Sequence, residues 1–259
     1  MTAPSITIAT YNILAKAYAA PNRYPNCAPS VLAPKGRLPT LIGRVIGLDA
    51  DVLCIQECEE AVFARIQARL GSGYDGRWVR KTGGQPDGCA TFVRLPWKCH
   101  AWREILFHDK PAPKPSGHVA LIAELSRDGH RLTVANAHLR WAPDDAPPDE
   151  RPGLSQARQL LEAFAKHPSP YVVCGDFNAE PGSEVLELFG VYGFSDAHDP
   201  AVMTCNPDGR AKKVDFLLHS RGLTAHPRPA LAVTDVTPLP SSTEPSDHIP
   251  LVAKFLIRG

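Results

Sequence analysis

The stretch YVVCGDFNAEPGSEVLELF, residues 171–189, combines an apolar run, a polar turn and a periodic segment. Tyr171–Gly175 has the length and composition of a buried strand, and Ser183–Phe189 has helical periodicity. Asp176 and Asn178 follow the strand directly, where a rigid scaffold holds side chains that face a cleft. An Asx turn explains this pair equally well. The stretch predicts an α/β fold and makes the ends of its strands candidates for chemistry.

Similar runs recur along the whole chain, and they alternate between strand and helix patterns. The predicted strands are Ser5–Ile13, Asp51–Gln56, Ala90–Val93, His118–Leu125, Leu132–Leu139, Tyr171–Gly175, Val214–His219 and Pro250–Ile257. The predicted helices are Arg37–Leu48, Ala61–Leu70, Ser155–Lys166 and Ser183–Phe189. Proline-rich segments at 108–117, 142–153 and 226–245 are interpreted as loops. No break in composition marks a second domain, so residues 1–259 are expected to form a single α/β domain.

Charge and composition narrow the range of partners. The 28 Lys and Arg residues nearly balance the 27 Asp and Glu residues, leaving a net charge of +1. Proteins that track a long polyanion usually carry a basic excess, so a short RNA 3′ end or a small nucleotide fits better than a long duplex. The sequence has no apolar run long enough for a membrane span and no signal segment. The seven cysteines are scattered without a CxxC pair, which favours reduced thiols and a cytoplasmic location.

Polar residues interrupt or follow several of the apolar runs. Besides Asp176 and Asn178, they are Asn12, Glu57, His138, Asp215, Asp247 and His248. Each has an ordinary structural explanation. Glu57 could be an acid at a helix N-terminus, and His138 a structural histidine. Asp215 could pair with Lys212 or Lys213 at the surface, and Asp247–His248 could form a turn. Independent structural explanations for all eight positions are improbable, so their joint occurrence favours a functional site.

These residue types suit the hydrolysis of a phosphate ester. That reaction needs neutralisation of the developing negative charge, an oriented water and protonation of the leaving oxygen. A carboxylate such as Glu57 suits Mg²⁺, and His138 and His248 could contact phosphate oxygens. Asp215, if hydrogen-bonded to His248, would fix its tautomer. The sequence contains no GxxxxGK[ST], GxSxG or GxGxxG motif. It therefore does not indicate a nucleoside triphosphatase, a serine hydrolase or a dinucleotide-binding protein.

Seven short segments, taken in order, resemble the motifs of the endonuclease/exonuclease/phosphatase superfamily. They are TYNIL (10–14), QE (56–57), DGCATF (87–92), AHL (137–139), GDFNAEP (175–181), VDFLL (214–218) and SDH (246–248). Within it the chain looks closest to the deadenylase, nocturnin, Angel and 2′-phosphodiesterase branch. The segments that support this branch are Tyr24–Pro25–Asn26–Cys27, PDGCATF (86–92) and GDFNAEPGSEVLELF (175–189).

The resemblance implies a four-layer α/β/β/α sandwich of two mostly antiparallel sheets flanked by helices. It also implies a role for each residue of the site. Glu57, with Asn12 and Asp247, would bind Mg²⁺, for which Mn²⁺ could substitute. Asp176 would orient or deprotonate the attacking water, and Asn12, Asn178 and Lys81 would contact the substrate. His138 would stabilise the transition state or assist the leaving group. His248, paired with Asp215, would contact the scissile phosphate.

The expected activity is 3′-to-5′ exoribonuclease or nucleotide phosphodiesterase. The alternative is a phosphomonoesterase or a 2′,3′-cyclic phosphate hydrolase acting on small nucleotides or RNA ends. A catalytically inactive binding module would be expected to lack at least one of these acids or imidazoles. No partner-docking extension precedes Met1, so a monomer outside a large deadenylase complex is expected. Trp78, Trp141 and Phe177 are candidates for base stacking, with core packing the favoured role for Phe177.

Overall fold

A computed structural model describes residues 4–24, 27–109, 114–143, 146–147, 151–167 and 170–258. Within them, the strands are β1 Ser5–Asn12, β2 Val52–Glu59, β3 Tyr74–Arg80, β4 Asp87–Arg94, β5 Lys98–Asp109, β6 Lys114–Arg127, β7 His130–His138, β8 Tyr171–Asp176, β9 Ser195–Asp196, β10 Asp215–His219, β11 Leu223–Pro227 and β12 Leu251–Ile257. The helices are α1 Pro29–Leu32, α2 Pro34–Gly47, α3 Glu60–Leu70, α4 Pro152–Phe164 and α5 Glu184–Val191.

The strands form two sheets of six. The order in the first sheet is β11-β12-β1-β2-β4-β3, and in the second it is β5-β6-β7-β8-β10-β9. Among the pairings of the described strands, β1–β2 and β7–β8 are parallel and the others are antiparallel. The prediction of two mostly antiparallel sheets is therefore confirmed.

The three largest apolar cores lie between the two sheets and between each sheet and its helices. Residues from the inner faces of both sheets, including Ile8, Cys54, Val134 and Val172, form the central core. A second core lies between the first sheet and helices α2 and α3, and a third lies between the other sheet and helices α4 and α5. Because each sheet has one face toward its partner and one toward helices, both faces are covered. This is the α/β/β/α sandwich that the sequence predicts.

Strand register brings the ends of the central strands together. In the first sheet Asn12 of β1 lies opposite Gln56 of β2. In the second sheet Asp176 at the end of β8 lies opposite His138 on one side and Asp215 on the other. Since parallel neighbours end at the same edge, the polar residues that follow these strands converge on one side of the sandwich.

Several elements differ from the sequence prediction. Strands β3, β5, β9 and β11 were not predicted, and the proposed loop at 108–117 is wrong where β5 and β6 extend into it. Residues 110–113 of that segment lie outside the described residues. All four missed strands lie at sheet edges, and β5 and β3 carry exposed charged side chains, so they lack the apolar pattern of a buried strand. Edge strands are therefore harder to recognise from hydrophobic patterns than central strands.

Two further observations concern the chain as a whole. None of the helices in the described residues is long and apolar enough to cross a membrane. All seven cysteines are free thiols, and five of them are buried.

The helix predicted at Arg37–Leu48 begins earlier, at Pro34, where a proline occupies its first turn. The monomeric state and the cytoplasmic location remain predictions.

Candidate active site

Glu57 reaches the cleft through an irregularity in β2. The register with β4 shifts between Ile55 and Cys58, and Glu57 has a positive φ of 56°. A bulge of this kind re-aims a side chain near the end of a strand. The carboxylate accepts hydrogen bonds from the Ala15 amide at 2.8 Å and from Asn12 Nδ2 at 3.1 Å. The alternative of a helix N-terminal acid is wrong, because Glu57 lies within the strand and α3 begins at Glu60.

Asn12 connects the two sheets. Its Nδ2 donates to Glu57 on its own sheet and to Asp176 Oδ2 on the other sheet at 2.9 Å. Its Oδ1 accepts a hydrogen bond from the Leu14 amide at 3.0 Å. The amide oxygen, which would be the metal-binding atom, is thus already engaged with the backbone. The geometry makes Asn12 an aligning residue that holds two carboxylates at a fixed separation.

Asp176 and Asn178 form an Asx turn and also face the cleft. The Asn178 amide donates to Asp176 Oδ1 at 2.9 Å, and Asn178 has a positive φ of 48°. Asn178 Nδ2 donates to the Leu139 carbonyl at 2.9 Å and lies 3.3 Å from His138 Nε2. The interpretation as an Asx turn is therefore confirmed, and the turn directs both side chains to the cleft. Their catalytic role stays a prediction.

His138 is buried beside Asp176, with Nε2 3.7 Å from Asp176 Oδ2. Burial, followed by the positive charge of Lys81, holds the pKa of His138 well below its usual value. Burial raises the pKa of Asp176 to about 7, assisted by the Asp215 charge and opposed by His248. A neutral imidazole therefore lies next to a carboxyl group that titrates near neutrality.

His248 and Asp215 form the predicted pair. His248 Nδ1 lies 2.8 Å from Asp215 Oδ2, and His248 Nε2 points toward Asp176 Oδ2 at 3.8 Å. Burial opposes the charged ring, but the Asp215 carboxylate outweighs it and raises the pKa of His248 well above its usual value. The alternative pairing of Asp215 with lysine is wrong. Lys213 pairs with Asp196 at 2.7 Å, and Lys212 lies 3.8 Å from Asp208.

Asp247 and Lys81 both line the cleft. Asp247 Oδ2 accepts a hydrogen bond from the Tyr24 hydroxyl at 2.8 Å. Lys81 Nζ lies 2.8 Å from Asp87 Oδ2, and both side chains are buried. Asp87 Oδ1 also accepts a hydrogen bond from the Tyr18 hydroxyl at 2.8 Å. These contacts hold the Asp247 carboxylate and the Lys81 ammonium in place.

The polar residues of the cleft and its supports that the sequence prediction missed include Tyr18, Tyr24, Asp87 and His118. Tyr24 and Asp87 belong to segments that carry the family resemblance, so their positions offered a signal. Neighbouring Pro25 and Asn26 lie outside the described residues. Tyr18 and His118 carry no motif, and only the tertiary structure brings them to the site.

The cleft has a volume of about 910 Å³ and contains Glu57, Lys81, His138, Asp176 and His248 among its lining residues. A second pocket of about 670 Å³ shares its Asn178 and His248 wall.

Trp141 lines both pockets and is 60% exposed, so it is available to stack on a base. Phe177 is fully buried and stacked against Phe189, which confirms core packing. Trp78 packs on the outer core of the first sheet and donates to the Cys58 carbonyl.

The carboxylates of the cleft fit a divalent cation. Burial raises the pKa of Glu57, and the nearby Asp247 charge raises it further, so the two acids repel each other. A hard cation with oxygen ligands would relieve this repulsion. A separate cluster of Asp176, Asp215 and His248 has ligand atoms within 4.8 Å of one another. There Nδ1 of His248 is already bonded to Asp215 and the ring favours its protonated form, which cannot bind a metal. Glu57 and Asp247 are the better ligands.

Comparisons with known proteins agree with this geometry. The chain is 31% identical over 203 residues to protein angel homolog 2 of Bos taurus, covering 70% of this chain and 36% of the relative. It is 26% identical to nocturnin of Rattus norvegicus, covering 97% of this chain and 66% of nocturnin. The chain thus spans about a third of the length of the angel homologues that it matches.

Solved structures show the same fold. The structure of ANGEL2, a 2′,3′-cyclic phosphatase, in complex with adenosine-2′,3′-vanadate matches with a TM-score of 0.84 and 24% identity, covering 98% of this chain and 96% of that one. The human nocturnin catalytic domain with bound sulfate matches with a TM-score of 0.75 and 26% identity, covering 98% and 94%. A model of the Endonuclease/Exonuclease/phosphatase family matches residues 9–248. This chain therefore belongs to the endonuclease/exonuclease/phosphatase family of phosphoester hydrolases.

Proposed function

We propose that this chain is a Mg²⁺-dependent phosphoesterase that hydrolyses phosphodiester bonds at RNA 3′ ends, as a 3′-to-5′ exoribonuclease of the deadenylase type. The observation that carries the proposal is the Asn12 side chain, which joins Glu57 and Asp176 across the two sheets. This contact brings the Glu57 and Asp176 carboxylates close together, which supports one as a metal ligand and the other as the acid that activates water. His138 and His248 border the same volume.

Glu57 and Asp247 would hold the cation, with Asn12 keeping Glu57 in place. When bound, Mg²⁺ supplies charge neutralisation and polarises the phosphoryl group. Mn²⁺ could substitute, because it also accepts carboxylate and water oxygens. The hydrogen bonds from Ala15 to Glu57 and from Tyr24 to Asp247 orient both ligands before any cation binds.

Asp176 orients the attacking water and accepts its proton. The free-protein pKa of about 7 suits a general base near neutrality. Asn12 and the Asn178 amide each donate to one carboxylate oxygen of Asp176, so its orientation is fixed. A fixed base needs little reorganisation when the phosphate is attacked, which lowers the barrier.

His248, Asn178 and His138 act on the phosphate. The raised pKa of His248 keeps its ring protonated, and its Nε2 faces the cleft while Asp215 holds Nδ1. A charged donor in that position stabilises the negative charge of the transition state. Asn178 Nδ2 would hold a phosphate oxygen by exchanging its contact with His138 Nε2 for that oxygen, while it keeps its hydrogen bond to the Leu139 carbonyl. His138, neutral in the free protein, assists the leaving oxygen once the phosphate charge favours its protonated form.

The choice of substrate is supported by charge and shape. A near-neutral chain is suited to a short 3′ end, and the cleft continues past His248 into the second pocket. The phosphate therefore has room for a substituent on both sides, as in a diester. Lys81 would contact a phosphate oxygen, and Trp141 would stack on a base. Similarity to nocturnin and to angel homolog 2 supports RNA or nucleotide substrates.

A second candidate activity is the hydrolysis of 2′,3′-cyclic phosphate ends. It is supported by the 31% identity to protein angel homolog 2, taken with the solved ANGEL2 structure that is described as a 2′,3′-cyclic phosphatase. Both activities would use the same acids and imidazoles, because both attack a phosphorus next to a ribose. They differ in the bond that breaks.

Two labelled oligoadenylates separate these activities, one with a 3′-hydroxyl and one with a 2′,3′-cyclic phosphate end. Ladder formation with release of mononucleotides supports the diesterase. Opening or removal of the cyclic phosphate without shortening supports the second candidate. Each assay is run with Mg²⁺, with Mn²⁺ and with a chelator. Glu57→Gln and Asp176→Asn are each expected to lower kcat at least about 100-fold, with Glu59→Gln as the matched control. Near-normal turnover in both variants would contradict the proposed site.

A further inference from the structure

His118 lies on the wall of the cleft next to His138, but no role has been assigned to it above. It is in β6, and its neighbour Val119 lies opposite His138 in β7. The two imidazole rings meet edge to face with centroids 5.4 Å apart. The His118 ring is partly exposed and lines the cleft together with Tyr18, Lys81 and Glu57. His118 is therefore in direct contact with His138, the residue proposed to assist the leaving oxygen.

The hydrogen bonding of His118 fixes its tautomer. Its Nδ1 lies 3.1 Å from the backbone carbonyl oxygen of His138. A carbonyl oxygen can only accept, so Nδ1 carries the hydrogen. Burial, followed by the charge of Lys81, lowers the pKa of His118 to about 4, so the ring is neutral near neutral pH. The other ring nitrogen, Nε2, then has a free lone pair and is a hydrogen-bond acceptor.

This acceptor has no donor among the parts of the chain that the structure describes. Two of its polar neighbours in the cleft are committed elsewhere, since the Tyr18 hydroxyl donates to Asp87 and Lys81 pairs with the same carboxylate. His138 lies 3.7 Å from Asp176, which favours protonation of that ring when a phosphate binds, whereas none of the ion pairs among the described residues includes His118. The His118 ring therefore stays neutral and offers the substrate an acceptor, unlike the charged His248. The ligand of His118 must be a hydrogen-bond donor on the substrate, close to the phosphorus.

We infer that His118 is a specificity-determining residue that accepts a hydrogen bond from the ribose 2′-hydroxyl next to the scissile phosphate. In RNA this hydroxyl is on the carbon adjacent to the one whose oxygen bears the phosphate, so it is the nearest donor to the reacting group. The amino groups of the bases lie at the far end of the nucleoside. DNA has no donor at this position. The inference rests on the proposed function and adds selection of RNA over DNA to it.

The test compares oligoadenylates that differ by one group. The first is all RNA, the second lacks the 2′-hydroxyl only on the penultimate nucleotide, and the third carries a 2′-O-methyl group there. The 2′-deoxy change placed five nucleotides upstream is the substrate control. For the wild-type protein, kcat/KM should fall about fivefold to tenfold on the second and third substrates, as expected for one lost neutral hydrogen bond. It should not change on the control.

Two variants assign the effect to His118. His118→Leu should remove the preference, so that kcat/KM on RNA equals kcat/KM on the 2′-deoxy substrate for this variant. His118→Gln, which keeps an acceptor, should retain most of the preference. His226→Leu, on exposed β11 outside the cleft, is the control. An unaltered preference in His118→Leu, or equal losses on both substrates, overturns the inference while the proposed function stands. A wild-type protein that cleaves none of these substrates overturns both.

Discussion

Asp215 Oδ2 and His248 Nδ1 lie 2.8 Å apart, although the two residues come from β10 and from the segment just before β12. The contact fixes the hydrogen of His248 on Nδ1 and leaves Nε2 directed at the cleft. It is also the charge that keeps the ring protonated despite burial. The proposed phosphate-binding donor thus depends on Asp215, which is not among the residues that line the cleft.

Asp215→Asn should lower kcat at least about 100-fold, because the amide removes the charge and leaves the tautomer undefined. The pKa of the His248 ring should fall, which titration followed by NMR of the imidazole nitrogens would measure. Exposed Asp208→Asn is the control. A variant with normal turnover and an unchanged His248 titration would contradict the role given to this pair.

Glu57→Gln should abolish most of the thermal stabilisation produced by Mg²⁺. In chelator, the variant should stay within about 1 kcal/mol of wild type, because relief of the buried charge and of the Asp247 repulsion offsets the loss of one of the two hydrogen bonds that the carboxylate accepts. At a Mg²⁺ concentration about 100 times its Kd, wild type should gain about 2.7 kcal/mol. Melting curves with and without Mg²⁺ measure both effects, and Glu59→Gln is the control. An equal Mg²⁺ shift in Glu57→Gln would exclude Glu57 as a ligand.

Asp87→Asn should destabilise the fold by about 3 kcal/mol, since it leaves the buried Lys81 ammonium without its counter-charge. Combining it with Lys81→Met should restore part of the loss. Urea unfolding of both single variants and the double variant gives the coupling free energy. The matched control is Glu104→Gln, which breaks an exposed pair with Arg77 and should cost less than about 1 kcal/mol. Additive losses would show that the buried pair is not coupled.

Gly175→Ala should destabilise the protein by more than about 2 kcal/mol. Gly175 has a φ of 139°, and a Cβ there would lie 1.8 Å from the Ala137 carbonyl oxygen. The change would push β8 away from β7 and displace Asp176. Gly43→Ala is the control, because a Cβ at that helical position meets nothing within 4 Å and should stabilise the helix. Similar unfolding curves for the two variants would contradict the close strand approach.

His118 should make stability depend on pH between about 6.5 and 4. Its pKa falls from 6.5 to about 4 on folding, so the unfolded chain binds more protons in this window. Stability from this group is complete above pH 6.5 and is lost as pH falls, by at most about 3 kcal/mol. Urea unfolding at pH 7 and pH 4.5 should show a smaller drop for His118→Gln than for wild type. An identical drop would indicate that His118 stays protonated in the fold.

The sequence by itself determined the layered α/β class and named many of the residues that line the cleft. Buried strands such as Tyr171–Asp176 are recognisable because both faces are covered, so their apolar runs are continuous. The polar residues after those runs stand out against them, as Asp176 and His138 do. Glu57, Asp215 and His248 were likewise predicted from their places at strand ends. Edge strands such as β3 and β11 lack this contrast and were missed.

Only the tertiary structure decided which of these residues touch and which neighbours support them. Asn12 and Asp176 are far apart in sequence, and their contact exists because the two sheets pack face to face. The pairing of Lys81 with Asp87 and the fixed tautomer of His118 follow from the meeting of strands that no local pattern connects. Hydrogen bonds and pKa shifts depend on distance and burial in space, and local sequence spacing encodes neither for residues on different strands.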